Sequence, residues 1–200
     1  MTVINLDANP QRVADAGVDP MFSGRWSPRA LSGEALNLAD VMPLFEAARW
    51  APSCFNAQPW RFLFSLQGDS WWDRYLDLLV PANQVWAGRA GALVLLVSRR
   101  EFEHNSQPAA SHSFDAGAAW LSLALQASKQ GLAAHGMLGF DAVRARSVLA
   151  VPDLFHIDAM IALGKPGQLE DLPEAYRERE QPSARKPLEE IIIAGGFTPN

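Results

Sequence analysis

The sequence predicts an α+β fold in a single domain. It has 200 residues, of which 48% are hydrophobic and 20% charged, a composition typical of one folded domain with one core. Helical and strand patterns follow one another without regular β-α-β repetition, which favours α+β over a doubly wound fold. No internal repeat or linker divides the chain.

The first 50 residues predict a lead-in and one helix. Residues 1–22 read as the lead-in because Pro10, Gly17 and Pro20 interrupt them, and at most a short helix fits between residues 11 and 16. Asp40 is expected to cap a helix that runs to about Trp50. Apolar residues recur there at helical spacing, and a proline in the first turn would cost no hydrogen bond.

The middle of the chain predicts two strands with a helix between them. Residues 60–66 are aromatic and short, and residues 92–98 are continuously apolar, as in a fully buried strand. A helix over residues 71–79 is expected to join the two strands and to end before Pro81.

The second half predicts a central helix over residues 113–130, with Ser113 as its cap and Gly131 as its terminator. Small residues at 116–119 would let another backbone approach closely, although an ordinary core helix explains them equally well. A strand near residues 132–135, a helix capped by Asp141, a strand over 156–163 and a polar loop over 164–184 follow. Residues 191–193 are expected to form a strand or an extended arm.

Composition excludes several functions. The net charge of −5 argues against partners such as nucleic acid or anionic lipid, so any bound anion needs a local basic cluster. The single cysteine, Cys54, excludes an internal disulfide and a cysteine-rich metal site, and the four histidines share no metal-ligand spacing. The cysteine and histidine pattern therefore predicts no metal site. No apolar segment has the length of a signal peptide or a membrane span, so we expect a cytoplasmic protein.

Three segments carry candidate chemistry. Arginines flank a serine at residues 25–29, and residues 185–187 form a second basic cluster; these could be solvated turns or could gather a phosphate. In residues 51–60, prolines bracket Ser53 and Asn56. This extended loop could present the two polar groups to a ligand, or it could only connect a helix to a strand. Signature loops for nucleotides, such as Gly-x-Gly-x-x-Gly, are absent, which argues against a separate nicotinamide domain.

These segments, in this order, resemble the FMN-dependent nitroreductase family. The matching motifs are Arg25-Trp-Ser-Pro-Arg29, Ala51-Pro-Ser-x-x-Asn-x-Gln-Pro-Trp60, Asn83-Gln-x-Trp86, Asp115-x-Gly-x-Ala119, Gly139-Phe-Asp141 and Arg185-Lys-Pro-Leu188-Glu, which span about residues 20–193. The resemblance implies a nitroreductase-like fold, in which a central, mostly antiparallel sheet is flanked by helices. It also implies an intertwined homodimer with FMN at the interface.

The resemblance assigns cofactor contacts by position. Arg25 and Arg185 would hold the FMN phosphate, and Ser27 and Arg29 would lie toward the ribityl chain and the N1/O2 edge of the ring. Pro52, Ser53, Cys54 and Asn56 would reach the partner's flavin, Asn83 would hydrogen-bond the polar edge of the ring, and Gly136, Met137, Leu138 and Gly139 would lie near N5. The resemblance also counts Lys186, next to Arg185, among the cofactor-binding residues. Trp26 is included as well, at a position where the family often has a basic residue. Cys54 is interpreted as a small buried filler rather than a redox group.

The expected function is an oxidoreductase that uses NADH or NADPH to reduce nitroaromatics, quinones or a related small electrophile by a ping-pong mechanism. In such enzymes the flavin carries the chemistry, so no catalytic side chain is expected. Alternatives are a flavin-binding protein or sensor with little turnover, and a relative with dehalogenase or flavin-fragmenting activity. The segments that often supply a lid, residues 67–81 and 99–111, are short here, which predicts broad acceptor choice.

Overall fold

Four antiparallel strands form the centre of the computed structural model, which describes Arg12, Ala14 and residues 16–197. The strands are β1 (Trp60–Leu66), β2 (Ala92–Arg99), β3 (Ala133–Met137) and β4 (Phe155–Gly164), in the spatial order β1-β2-β4-β3. β1 and β3 are therefore the two edges of the sheet. The predicted α+β class is confirmed, and the four strands predicted between residues 60 and 163 are each present within two residues of their expected bounds.

Helices cover both faces of the sheet. They are α1 (Pro20–Gly24), α2 (Leu38–Arg49), α3 (Trp72–Leu76), α4 (Pro81–Ala87), α5 (His112–Lys129), α6 (Ala142–Val148) and α7 (Glu174–Arg177). Alternate residues of the buried strand β2 point to opposite faces. Leu93 and Leu95 pack in one apolar cluster with residues of α3, α4 and α6, whereas Val94 and Leu96 pack in a second with residues of α2 and α5.

The long helix α5 lies across one face of the sheet, as its pattern predicts. Its small residues Ala116 and Ala119 are fully buried, and Gly131 follows the helix with a φ of +70°, which suits glycine as a terminator. The predicted cap is wrong, because α5 begins at His112 and the Ser113 hydroxyl donates instead to Asp158 Oδ1, at 2.6 Å.

Two other helix boundaries differ from the predictions. Asn37, not Asp40, caps α2: its side chain accepts from the backbone of Ala39 and Asp40, while the Asp40 carboxylate accepts from the Asn37 backbone. The helix predicted over residues 71–79 is only α3, and α4 was missed. α4 starts at Pro81, a residue that favours the first position of a helix as well as stopping the preceding one.

The carboxyl-terminal segment is less regular than the rest. The predicted polar loop over residues 164–184 contains a 3-10 turn, Leu169–Asp171, and the short helix α7. Residues 191–193 do not form a strand; they follow the 3-10 turn Leu188–Glu190 and are exposed, as an extended arm would be. The helix considered for residues 11–16 lies outside the described residues except for Arg12, Ala14 and Ala16, none of which is helical.

Candidate functional site

A basic cavity of about 340 Å³ lies beside the edge strand β3. It is formed by residues 25–29, residues 179–185, one residue of β3 and one residue of the amino-terminal segment. The lining residues are Arg12, Arg25, Trp26, Ser27, Arg29, His135, Arg179, Gln181, Ser183 and Arg185. The fold thus brings together the two basic clusters that lie about 160 positions apart in the sequence.

Of the five arginines that line this cavity, Arg12, Arg25 and Arg185 lie near enough to one another for their charges to interact. The Arg25 side chain donates to the Ser27 hydroxyl at 3.2 Å, and Arg185 donates to the carbonyl and hydroxyl oxygens of Ser183 in its own segment. Burial, followed by the charge of Arg185, lowers the pKa of both Arg25 and Arg12. Within the described residues none of the three forms an ion pair with an acid. A cluster of mutually repelling cations is suited to binding an anion.

Arg29 differs from these three because it faces a buried acid. The Glu180 carboxylate accepts hydrogen bonds from the backbone of Arg29 and Ala30, and its Oε2 lies 3.8 Å from Arg29 Nη1. The Glu180 side chain is fully buried, and this burial raises its pKa. Glu180 thereby fixes residues 178–185, which carry Arg185, against the segment that carries Arg25.

His135 forms the wall of the cavity on the β3 side. Its Nδ1 lies 3.1 Å from the Pro28 carbonyl oxygen, and its ring packs on Trp86 with 4.7 Å between centroids. Burial lowers the pKa of His135 to about 4, so the ring is neutral at pH 7 and Nδ1 donates to the carbonyl. No motif in the sequence places this histidine in the site.

Asn83 contacts the segment that follows β3. Asn83 Nδ2 on α4 donates to the Gly139 carbonyl at 3.0 Å, and a Cβ at Gly139 would lie only 2.6 Å from that nitrogen. Gly136 lies against the Trp120 ring, where a Cβ would come within 3.2 Å. Met137 is buried, whereas Leu138 is 79% exposed, so this segment presents mostly backbone and one apolar side chain.

The loop that contains Pro52, Ser53, Cys54 and Asn56 is held by polar contacts. The Ser53 hydroxyl accepts from the Gln58 backbone at 3.0 Å, and the Cys54 backbone donates to Asp115 Oδ2 at 3.2 Å. Asn56 adopts a φ of +53°, one of three positive values in this loop. Cys54 is exposed, so its interpretation as a buried filler is wrong.

A single chain does not bring this loop to the cavity. The loop leads into β1, at one edge of the sheet, whereas the cavity lies beside β3, at the other edge. Lys186 is also outside the cavity lining, and its ammonium lies 3.6 Å from Glu190 Oε2. Within one chain, the width of the sheet therefore separates the loop from the cavity.

No helix in the described part of the chain has the length and apolar character needed to cross a membrane.

Comparison with known proteins identifies the family. The nitroreductase family model matches residues 22–165. A crystal structure described as an oxidoreductase containing FMN is 40% identical, with a TM-score of 0.91, over 96% of this chain and 100% of that chain. An NADH dehydrogenase of Thermus thermophilus is 29% identical over 178 residues, which cover 75% of this chain and 82% of that protein.

A nitroreductase family protein from Streptococcus pneumoniae TIGR4, at 21% identity and a TM-score of 0.67, covers 84% of this chain and 95% of that chain and shares the fold. Together with the family match over 22–165, these similarities agree with the antiparallel sheet and helical layers described above. The chain belongs to the nitroreductase family.

Proposed function

We propose that this protein is an FMN-dependent oxidoreductase whose basic cavity holds the FMN phosphate. The observation that carries the proposal is the meeting of Arg12, Arg25 and Arg185 without an acidic partner among the described residues. A phosphate monoester brings a charge of about −2 at neutral pH and three acceptor oxygens, which matches several guanidinium donors. The FMN described in the 40% identical structure supports this choice of anion.

The remaining residues of the site fit the rest of the cofactor. We assign Ser27 and Arg29 to the ribityl chain and the N1/O2 edge of the ring, where a fixed guanidinium stabilises the negative charge of the reduced state. Asn83 and residues 136–139 line the path from the cavity along β3, and we place them beside the ring. The Leu138 carbonyl already accepts from the Phe140 backbone, so its N–H is the group that we assign to the ring, a role that does not depend on the side chain.

We further propose a homodimer in which the Ser53 loop of one protomer completes the site of the other. This proposal rests on the separation of the loop and the cavity at opposite edges of the sheet. The hydrogen bonds to Ser53 and Cys54 hold the loop in a defined shape, which lowers the entropic cost of contacting a ligand.

When bound, FMN would supply the chemistry for hydride transfer from NADH or NADPH to a nitroaromatic, a quinone or a related small electrophile, in a ping-pong mechanism in which both substrates use the site in turn. The protein supplies binding, orientation and electrostatics, and none of its side chains needs to act as an acid or base. The Thermus thermophilus relative, described as an NADH dehydrogenase, supports a nicotinamide donor. The single cysteine is consistent with a cytoplasmic location.

Anaerobic titration of the purified protein with NADH and NADPH tests this function. The protein should be yellow, with about one FMN per chain, and stoichiometric nicotinamide should abolish the oxidised flavin band. Addition of a quinone should then restore it. A yellow protein whose flavin neither donor reduces would indicate a flavin-binding sensor, and a colourless protein that takes up no added FMN would overturn the assignment.

A further inference from the structure

Arg12 reaches the basic cavity from outside the family match. It lies in the lead-in, ten residues before residue 22, where the match begins. Its Nε donates to the Ser183 carbonyl at 2.9 Å, and its Nη1 donates to the carbonyls of Arg25 at 2.7 Å and Ser23 at 3.3 Å. The guanidinium therefore lies between the two segments that carry Arg25 and Arg185.

We propose that Arg12 is the third phosphate-binding cation of this site, held in place by backbone carbonyls of the two segments that carry the other two. The proposal rests on the proposed FMN function and adds a residue to it. Arg12 lines the same cavity as Arg25 and Arg185, and none of the three hydrogen bonds that its side chain forms with described residues uses Nη2.

The arrangement fits ligand binding better than folding alone. Clustering three cations raises the electrostatic energy of the empty site: after burial, the charges of Arg185 and Arg25 lower the pKa of Arg12. A dianion in the cavity reverses this repulsion. The carbonyl contacts fix the long side chain beforehand, so that less conformational entropy is lost when the phosphate binds.

The test compares FMN with riboflavin, which has the same ring and ribityl chain but no phosphate. For Arg12→Gln we expect FMN to bind about 10- to 100-fold more weakly by fluorescence quenching, since one charge-assisted contact is lost, while riboflavin affinity changes less than about twofold. The loss should grow between pH 5 and pH 7, because the phosphate gains its second charge near pH 6.

Arg146→Gln is the matched control. Arg146 also donates to three backbone carbonyls, those of Val151, Pro152 and Phe155, but it is not part of the cavity. This variant should retain wild-type affinity for FMN. A second comparison uses Arg185→Gln as background: if Arg12 contacts the phosphate itself, Arg12→Gln should still weaken FMN binding there.

Several outcomes overturn the inference while leaving the proposed function intact. They are wild-type FMN affinity in Arg12→Gln, an equal loss for riboflavin, a loss that does not depend on pH, and no further loss in the Arg185→Gln background. If Arg12→Gln yields no folded protein, Arg12→Lys carries the test. It keeps the charge and should lose FMN affinity but not riboflavin affinity, and equal losses would overturn the inference. Failure of the proposed function is distinct, because the wild-type protein would then bind no FMN.

Discussion

Replacing Arg185 by Gln separates a binding role from a structural role. The Arg185 side chain donates only to oxygens of Ser183 and Ala184 among the described residues, so its removal breaks no contact with another element. After burial, the charge of Arg185 is the next cause of the lowered pKa of both Arg12 and Arg25, so its removal relieves repulsion in the empty site. We expect the FMN-free variant to be at least as stable as the wild type.

FMN binding should change in the opposite direction. One charge-assisted hydrogen bond is worth about 1.5 to 3 kcal/mol, or roughly a 10- to 150-fold weaker complex. Suppose that FMN is present at 100 times the wild-type Kd and binds the variant 100-fold more weakly. The cofactor then stabilises the wild-type fold by about 2.7 kcal/mol but the variant by only about 0.4 kcal/mol.

Urea unfolding with and without FMN, together with fluorescence titrations of FMN and riboflavin, measures both effects. Lys186→Gln is the neighbouring control: Lys186 pairs with Glu190 outside the cavity lining, so its replacement should cost less FMN affinity than that of Arg185. The reasoning is refuted if Arg185→Gln binds FMN as the wild type does, or if riboflavin binding falls as much as FMN binding.

Three further predictions concern pH, packing and selectivity. The pKa of His135 is about 4 in the fold against about 6.5 in the unfolded chain. As the pH falls below 6.5, the unfolded chain therefore binds a proton that the fold does not, and the free energy of unfolding decreases until the pH reaches about 4. The loss amounts to up to about 3 kcal/mol, and urea unfolding across this range should show a smaller loss for His135→Gln. Gly139→Ala places a Cβ 2.6 Å from Asn83 Nδ2 and should destabilise the fold by about 1 to 3 kcal/mol, as thermal or urea unfolding would show. Steady-state rates on a panel of equally oxidising quinones and nitroaromatics should correspond to activation free energies that differ by no more than about 1 to 3 kcal/mol, because the short segments at 67–81 and 99–111 offer few polar contacts. A preference for one acceptor above about a thousandfold would contradict this prediction.

The sequence predicted those elements whose physical signal is local. Strand β2 is apolar at six consecutive positions, so its burial on both faces could be predicted without knowing its neighbours. The Asn37–Asp40 capping box was harder, because both residues are good caps and only the backbone geometry decides which one lies at the helix end. Pro81 likewise fits the end of one helix and the start of the next.

The candidate site was only partly predictable. Arg25 and Arg185 stood in recognisable basic segments, and the structure places both in one cavity. Arg12 carries no local signal, because it is one arginine in a lead-in and its role depends on carbonyl groups that only the fold assembles. His135 is similar, since its pKa is lowered by burial and, to a smaller extent, by the charges of Arg29 and Arg25, all of which depend on the fold.

The central proposal is one FMN site built from two chains, and mixed dimers test it most directly. One protomer carries Arg185→Gln and the other carries Asn56→Gly, which removes the amide but tolerates the φ of +53°. If sites are shared, each mixed dimer has one unaltered site and one doubly altered site. At an FMN concentration that loads wild-type dimers but neither parent variant, the account predicts about one FMN per mixed dimer, bound with wild-type affinity. Mixed dimers that bind no more FMN than the average of the two parents would contradict the account.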